Sequence, residues 1–184
     1  MREAPPEGWS HWRSLSGAAL KDAMQGGHPV LGSTLAGSAY LGVSLGIPHW
    51  VEKLAWTTFV KAFQEKPGSD EVEGWNVRLE QTGIEGNLEP KRRRDGSLLC
   101  FGRFLVRDRV ELPSGLGTGL LIDYGAVPQG LDPIRFLRDP LVALSPDSTD
   151  WLLGWSYLDL GVPVSTPSYF LLQRVGEAQE YGSG

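Results

Sequence analysis

The sequence predicts a mainly β fold in which antiparallel strands close into a barrel, with one or two short N-terminal helices capping one end. Composition is the first reason: 24 Gly, 13 Pro and 7 Trp in 184 residues are typical of a chain with many turns and many large aromatic side chains. The second reason is a repeated alternation of residue character with the two-residue period of a β-strand. Antiparallel strands avoid exposed edges by closing, and a barrel of about eight strands can enclose one small ligand.

The first 30 residues are expected to form a helical segment ahead of the barrel. Residues 10–25 carry apolar side chains at helical spacing, and the stripe ends at Gly26. The barrel is expected to occupy residues 31–176. It begins with a glycine-rich strand over residues 35–44, where the missing side chains predict that another group approaches the backbone closely.

A further helix is predicted over residues 48–64, as a cap on the barrel. Pro48 suits the first turn of a helix. Large apolar residues recur behind it at spacings of three and four, namely Trp50, Val51, Leu54, Ala55, Phe59 and Phe63. Such a helix would bury one broad face.

The remaining strands are predicted from alternating or continuously apolar segments. These segments are 75–80, 98–110, 119–124, 151–159 and 168–175. The stretch between the third and fourth is rich in Pro and Gly and contains two Asp-Pro steps that oppose helix, so a connection is expected there. Residues 177–184 are expected to be a flexible tail of the single domain.

The segment 151–159 is the most informative part of the chain. One face carries Trp151, Leu153, Trp155 and Tyr157, and the other face is small or aliphatic. Because neither face is polar, the strand should be covered on both sides. One interpretation is that the aromatic face borders an enclosed cavity. The alternative is a solidly filled interior, as most protein cores are.

Three patterns carry a resemblance to a known family. They are G-S-A-Y-L-G at 37–42, W-T-T-F-V-K-A-F at 56–63, and a series that runs from I-D-Y at 122–124 through D-S-T-D at 147–150 to Y-F-L-L-Q-R at 169–174. Together they resemble the bacterial GxWxG-motif proteins that carry an uncharacterised C-terminal module. That family consists of calycin-like (lipocalin-like) barrels, so the resemblance implies the same fold. Ser38 and Tyr40 replace the Gly and Trp of the family motif.

Charge, apolar stretches and cysteine content indicate which partners and which cell compartment to expect. A net charge of −5 opposes a general affinity for nucleic acid. No apolar stretch approaches the roughly 18 residues of a membrane span. Cys100 is the single cysteine, which fits a reducing compartment and a cytoplasmic location. The basic run at 91–94 precedes an Asp-Gly turn, which favours a solvated loop tip over an anion site.

No metal site or cofactor is expected. The three histidines His11, His28 and His49 lie far apart in the sequence and form no ligand cluster with Cys100. His49 and Glu52 lie three residues apart on the predicted helix, so their side chains could meet and provide a general base. An ordinary surface pair is the simpler interpretation.

The candidate catalytic residues are Asp123, Tyr124 and Arg103. Asp123 follows three apolar residues of a strand, and on an inner face its pKa would rise towards values useful for acid/base catalysis. The alternative is that it points outward or pairs with Arg103 or Arg107. On an inner face, Arg103 would instead hold a carboxylate or enolate oxygen.

The sequence favours binding of a small hydrophobic molecule, such as a lipid, terpenoid or polyketide-like compound, in the barrel. The expected lining residues are Tyr40, Trp56, Phe101, Trp155, Tyr157 and Tyr169. The alternative is a cofactor-independent isomerase or cyclase that acts on such a metabolite by acid/base catalysis. A third hypothesis is an interaction domain whose aromatic residues only fill a core.

Overall fold

The computed structural model describes residues 5–45, 57–82 and 88–182. Within these residues, eight strands run antiparallel in chain order, and β8 pairs with β1 to close the barrel. The mainly β, calycin-like antiparallel barrel predicted from the sequence is therefore confirmed. The strands are β1 (Ser38–Leu45), β2 (Thr58–Glu65), β3 (Val72–Arg78), β4 (Cys100–Leu112), β5 (Gly117–Asp123), β6 (Leu137–Ser145), β7 (Ser148–Asp159) and β8 (Pro163–Glu177).

Three short helices precede the barrel, where the sequence predicts one or two. They are α1 (Gly8–Ser14), α2 (Gly17–Gln25) and α3 (Gly32–Leu35). Ser16 begins α2 because its Oγ accepts a hydrogen bond from the Ala19 amide at 3.2 Å. The α2 side chains Leu20 and Met24 are buried against the outer wall of the barrel. α3 instead inserts Leu35 among the inner side chains.

The barrel has a back end, where β1 begins, and a front end, where β1 stops. α3 covers the back end and is held there by a 2.9 Å hydrogen bond from the Gly32 amide to the Asp108 carboxylate. At the front end lie the connections that follow β1, β3, β5 and β7. The β5–β6 connection contains two 3₁₀ helices, Tyr124–Ala126 and Pro133–Phe136.

Strand alternation decides which side chains fill the barrel. On β7, Leu152 packs in the inner cluster, whereas Leu153 and Trp155 pack in the outer cluster beneath the helices. The inner cluster is rich in rings, among them Tyr40, Phe63, Phe104, Tyr124 and Phe170. The interior of the barrel is thus aromatic, but its rings come mainly from strands other than β7.

Three inward-facing glycines make room for phenylalanine rings. In each case the ring belongs to the residue directly opposite on the neighbouring strand, and a Cβ on the glycine would overlap it. The pairs are Gly42–Phe59, Gly74–Phe104 and Gly154–Phe170. The close approach predicted for the glycine-rich first strand is therefore found at Gly42, and the approaching group is a side chain of the same protein.

The predicted helix over residues 48–64 is wrong where the structure describes it. Residues 48–56 lie outside the described ranges, and Thr58–Glu65 is the strand β2. Thr58 and Val60 are β-branched, and they alternate with Phe59, Lys61 and Phe63. A pleated strand between β1 and β3 accommodates this pattern well, so pairing with those neighbours overrides the helical spacing.

Two other segments are more regular than the sequence predicts. β6 lies in the stretch expected to be a connection, since an Asp-Pro step opposes helix but fits an extended backbone. The expected flexible tail contains the 3₁₀ helix Ala178–Tyr181, which buries Tyr181. The carbonyl oxygen of Tyr181 accepts a 3.1 Å hydrogen bond from the Trp75 indole, and this bond ties the segment to the outer wall. No helix in the described residues is long and apolar enough to cross a bilayer.

Candidate functional site

A cluster of polar side chains lies inside the barrel, towards the front end. Its centre is Lys61 on β2, with a side chain only 1% exposed. The Lys61 Nζ lies 2.6 Å from the Tyr124 hydroxyl and 3.4 Å from Oδ2 of Asp139. The Tyr124 hydroxyl donates to the same Asp139 oxygen at 3.1 Å. An amine on β2, a phenol directly after β5 and a carboxylate on β6 are thus in mutual contact.

Two neutral side chains complete the hydrogen bonding of this cluster. Asn76 on β3 donates to the Tyr124 hydroxyl at 3.2 Å and to the Gly102 carbonyl at 3.0 Å. Ser156 on β7 donates to Oδ1 of Asp139 at 2.7 Å. The Asp139 carboxylate therefore accepts hydrogen bonds at both oxygens.

Local sequence explains how each side chain reaches the interior. Lys61 stands between Phe59 and Phe63 on the inward face of β2, directly opposite Tyr40 on one side and Asn76 on the other. Tyr124 follows the last residue of β5, where the chain turns into a 3₁₀ helix. The Asp123 carboxylate caps this turn by accepting from the amides of Gly125 and Ala126 at 2.9 and 3.1 Å.

Aromatic rings surround the Lys61 amine. Its Nζ lies 4.9 to 5.7 Å from the centroids of four rings, those of Phe104, Tyr124, Phe170 and Phe59. The negative faces of such rings attract a cation, and their apolar bulk excludes water. The amine is therefore held by one carboxylate, one phenol and an otherwise apolar wall.

Burial sets the protonation behaviour of the cluster. Loss of hydration lowers the pKa of Lys61, while the Asp139 charge and hydrogen bond act in the opposite direction. Burial also raises the pKa of the Tyr124 phenol well above its ordinary value, and the neighbouring Asp139 carboxylate adds to the rise. Tyr124 is thus a neutral hydrogen-bond donor at physiological pH. The Lys61 amine loses its proton more easily than the amine of a solvated lysine.

The β5–β6 connection closes the front end above the cluster. Ile134 and Leu137 are half-buried against the inner side chains. Gly102, with φ of 54°, leaves the space that Ile134 occupies beside Asn76 and Tyr124. The front end also carries exposed apolar side chains on the β5–β6 connection, on the β7–β8 connection and at the start of β8, namely Leu131, Phe136, Leu160, Val162 and Val164.

Three of the predicted lining residues lie on the outer wall of the barrel, which corrects the expectation that they border its interior. Trp155 and Tyr169 stack at 6.5 Å between ring centroids, and Tyr157 lies beside them. They face outward because the inward positions of β7 are Leu152, Gly154 and Ser156. A cleft of about 50 Å³ separates Trp155 and Tyr169 from α2, far below the roughly 300 Å³ of a typical ligand pocket.

The other predicted lining residues have separate locations. Tyr40 is fully buried in the interior, and its ring packs edge-to-face on Phe63 at 5.6 Å. Phe101 is half-buried beneath the Arg78 guanidinium, 5.5 Å from the ring centroid. Trp56 lies outside the described residues. In the strand pairing, Tyr40 lies opposite Lys61 and Phe101 lies opposite Asn76, so both neighbour residues of the polar cluster.

Of the candidate catalytic residues, Tyr124 belongs to the cluster and the other two do not. Asp123 faces away from the interior and pairs with Arg138 at 3.0 Å and with Arg107 at 3.9 Å. Arg103 is largely exposed and lies 3.9 Å from Glu73. The inner-face interpretation of Asp123 is therefore wrong, because successive strand residues alternate sides and the inward position belongs to its neighbour Tyr124.

Sequence analysis missed four members of the cluster: Lys61, Asn76, Asp139 and Ser156. Lys61 carried a usable signal, since a lone charge between Phe59 and Phe63 on one strand face is unusual unless that charge has a partner inside. The helical interpretation of this segment hid the signal. Asp139 lay in a stretch expected to be a connection, and a small polar residue such as Ser156 gives no distinctive signal.

Comparison of the chain with protein-family models, with curated proteins and with solved structures gives no match. The resemblance to the GxWxG-motif proteins therefore stays a prediction.

Proposed function

We propose that the front half of the barrel interior binds a small, mainly apolar molecule, and that Lys61 and Tyr124 hold its polar group. The carrying observation is an amine, a phenol and a carboxylate buried together among aromatic rings. A barrel of eight strands can be filled by apolar side chains alone. Replacing a buried ion pair by apolar residues often leaves stability unchanged or higher. A bound molecule therefore explains the cluster better than the needs of the fold do.

The surroundings of the cluster suit an apolar ligand with one hydrogen-bonding group. Binding sites of this kind combine apolar walls with a few fixed polar groups that orient the ligand. Here the walls are rings such as Phe104 and Phe170, and the polar groups are Lys61 and Tyr124. Short lipids and terpenoid- or polyketide-like molecules have this chemistry.

Access to the site would require movement at the front end. The side chains that close it, Ile134 and Leu137, belong to a connection rather than to a strand. Connections open at lower free-energy cost than the paired strands beside them. The exposed apolar side chains around this end would favour the approach of an apolar molecule.

A displacement experiment tests this proposal. The fluorescent apolar probe N-phenyl-1-naphthylamine is bound to the protein and then displaced by 3-phenylpropan-1-ol or by propylbenzene, which lacks the hydroxyl. We expect the alcohol to bind roughly fivefold more tightly, the equivalent of one hydrogen bond of about 1 kcal/mol. Tyr124→Phe and Lys61→Met should each reduce this preference, since they remove a partner of the hydroxyl.

Tyr157→Phe is the matched control, because it makes the same chemical change, loss of a phenol hydroxyl, on the outer wall of the barrel. This variant should keep the preference of the wild type. Failure of the wild type to bind the probe would contradict the proposal. So would a preference for the alcohol that is unchanged in both Tyr124→Phe and Lys61→Met.

The second candidate function is acid/base catalysis on such a molecule by a cofactor-independent isomerase or cyclase. The 2.6 Å contact between Lys61 and Tyr124 favours it, as does the hydrogen bond from Tyr124 to Asp139. A neutral phenol can protonate a ligand oxygen, and the neighbouring amine and carboxylate can return the proton. In this form of the hypothesis the catalytic roles belong to these three residues, and Asp123 and Arg103 have none.

Proton transfer can be tested with the ketone 4-phenylbutan-2-one in deuterated water. Catalysis predicts faster incorporation of deuterium next to the carbonyl than in buffer, measured by mass spectrometry. Tyr124→Phe should abolish the acceleration but leave displacement of the fluorescent probe intact. An equal rate in wild type, variant and buffer would eliminate this candidate and leave binding as the function.

A further inference from the structure

The Lys61 amine is placed as a nucleophile as well as a hydrogen-bond donor. A lysine in an apolar enclosure spends more of its time uncharged than a solvated lysine, and the uncharged amine attacks carbonyl carbons. Beside it, 2.6 Å away, is the Tyr124 hydroxyl, a proton donor for the oxygen of an attacked carbonyl. The Asp139 Oδ2 atom lies 3.4 Å from the Lys61 Nζ, so the carboxylate can balance the charge of a protonated nitrogen.

The cluster favours a neutral carbonyl compound over a carboxylate. Among the residues that the structure describes, Lys61 is the one buried lysine or arginine, and Asp139 already balances its charge. A ligand carboxylate would meet the like charge of Asp139 within a few ångströms and in a poorly hydrated site. An aldehyde or ketone brings no charge, and its hydrocarbon part fits the rings of Phe104 and Phe170.

We propose that Lys61 forms an imine with a small apolar aldehyde or ketone; this inference rests on the binding function proposed above. The Nζ lone pair attacks the carbonyl carbon and forms a C–N bond. The oxygen takes a proton from Tyr124, the nitrogen returns a proton to Tyr124, and a carbinolamine results. Loss of its hydroxyl with a nitrogen-bound proton, as water, leaves the C=N bond. One amine and one carbonyl compound thus give one imine and one water, with no oxidation or reduction.

Borohydride trapping tests the inference in the wild-type protein. The protein is incubated with one equivalent of 3-phenylpropanal, reduced with sodium borohydride, digested and mapped by mass spectrometry. The comparison is between Lys61, which is buried, and Lys66, whose side chain is 41% exposed. We expect at least about tenfold more adduct at Lys61, since its amine is the one placed beside a proton donor. Any smaller ratio overturns the inference.

Two variants make the assignment independent of the peptide map. Lys61→Arg keeps a cation beside Asp139 but cannot form an imine, and it should lose the trapped adduct. Lys66→Arg is the matched control and should keep it. An adduct yield in Lys61→Arg equal to that of the wild type would also overturn the inference, because the trapped amine would then lie elsewhere.

The alcohol 3-phenylpropan-1-ol separates failure of the imine from failure of the binding function. If the alcohol displaces N-phenyl-1-naphthylamine but the aldehyde leaves no adduct on Lys61, the imine is excluded and the binding proposal stands. If neither the probe nor the alcohol binds and no adduct forms, both proposals fail.

Discussion

At the scale of single residues, Lys61 and Asp139 form a buried ion pair in the interior of the barrel. Each is buried, and each depends on the other for compensation of its lost hydration. Sequence analysis identified both Tyr124 and its neighbour Asp123 as candidates, and it left open whether Asp123 faces the interior or points outward or pairs with Arg103 or Arg107. Side chains of successive residues in a strand point to opposite faces of the sheet, so a shift of one residue turns an outward side chain into an inward one. That single step explains why Asp123 binds arginines on the outside while Tyr124 contacts Lys61.

The Lys61–Asp139 pair should be strongly coupled. Lys61→Met leaves a buried carboxylate without its cation, which typically costs about 3–5 kcal/mol of unfolding free energy. Adding Asp139→Asn removes the uncompensated charge, so the double variant should be more stable than Lys61→Met alone. Urea denaturation of both single variants and the double variant measures the coupling. A double variant less stable than Lys61→Met would contradict it.

An exposed pair provides the control for that cycle. Lys66 and Glu71 lie 2.8 Å apart, but both side chains are 41% exposed. Water already solvates both charges, so Lys66→Met should change the unfolding free energy little. A loss at Lys66 as large as that at Lys61 would mean that removing any lysine destabilises this barrel, and that burial is not the cause.

The pH dependence of stability should reveal the buried amine. Burial lowers the pKa of Lys61 from its ordinary 10.5, so between the two values the folded chain binds fewer protons than the unfolded chain. Stability therefore rises with pH towards 10.5 through this group. Tyr124 acts oppositely: its pKa lies well above 10.0 when folded, so above pH 10 the unfolded chain loses its proton first and stability falls.

Urea denaturation as a function of pH checks both signs. Relative to Lys61→Met, the wild type should gain stability as the pH rises towards 10. Relative to Tyr124→Phe, it should lose stability above pH 10. A difference between wild type and Lys61→Met that does not change with pH would show that the Lys61 pKa is the same folded and unfolded.

At the scale of elements, local sequence patterns predicted six of the eight described strands, and β2 and β6 were missed. β1 was identified from its glycine-rich run. The segments that became β3, β4, β5, β7 and β8 were identified because apolar residues alternate or run continuously in them. β2 was missed because its apolar residues also fit helical spacing when counted together with those of 48–56. β6 was missed because two Asp-Pro steps suggested a loop. In both cases pairing with neighbouring strands decides the conformation, and this information is not local.

The glycine–phenylalanine pairs make a prediction about packing within elements. A methyl group at Gly74 would overlap the Phe104 ring and the Ala62 carbonyl, and the latter is backbone that cannot rotate away. Gly74→Ala should therefore lower the free energy of unfolding by about 1–3 kcal/mol, the usual effect of overpacking. Thermal or urea denaturation measures this change.

Gly17→Ala is the control for the same chemical change in an open location. No heavy atom lies within 4 Å of a Cβ at Gly17, which is the first residue of α2. Alanine should leave stability unchanged or raise it by up to about 1 kcal/mol, because it restricts the unfolded chain. Equal stability of Gly74→Ala and Gly17→Ala would show that the Gly74 site can relax around a methyl group.

At the scale of the whole molecule, closure of the barrel creates the site. Lys61, Asn76, Tyr124, Asp139 and Ser156 come from β2, β3, the end of β5, β6 and β7, and up to 95 residues separate them in sequence. Only strand order and register bring them together, so sequence patterns could predict the barrel but not this cluster. The barrel also differs at its two ends: α3 covers the back end, and the β5–β6 connection covers the front end.

This difference between the ends predicts the route of a ligand. Ile134 covers the polar cluster at the front end, so Ile134→Ala should lower the barrier to opening and increase the association rate of N-phenyl-1-naphthylamine in stopped-flow fluorescence. Leu31→Ala is the matched control, because Leu31 is exposed beside α3 at the back end. It should leave the rate unchanged. Faster association in Leu31→Ala, with no change in Ile134→Ala, would place the entrance at the opposite end of the barrel.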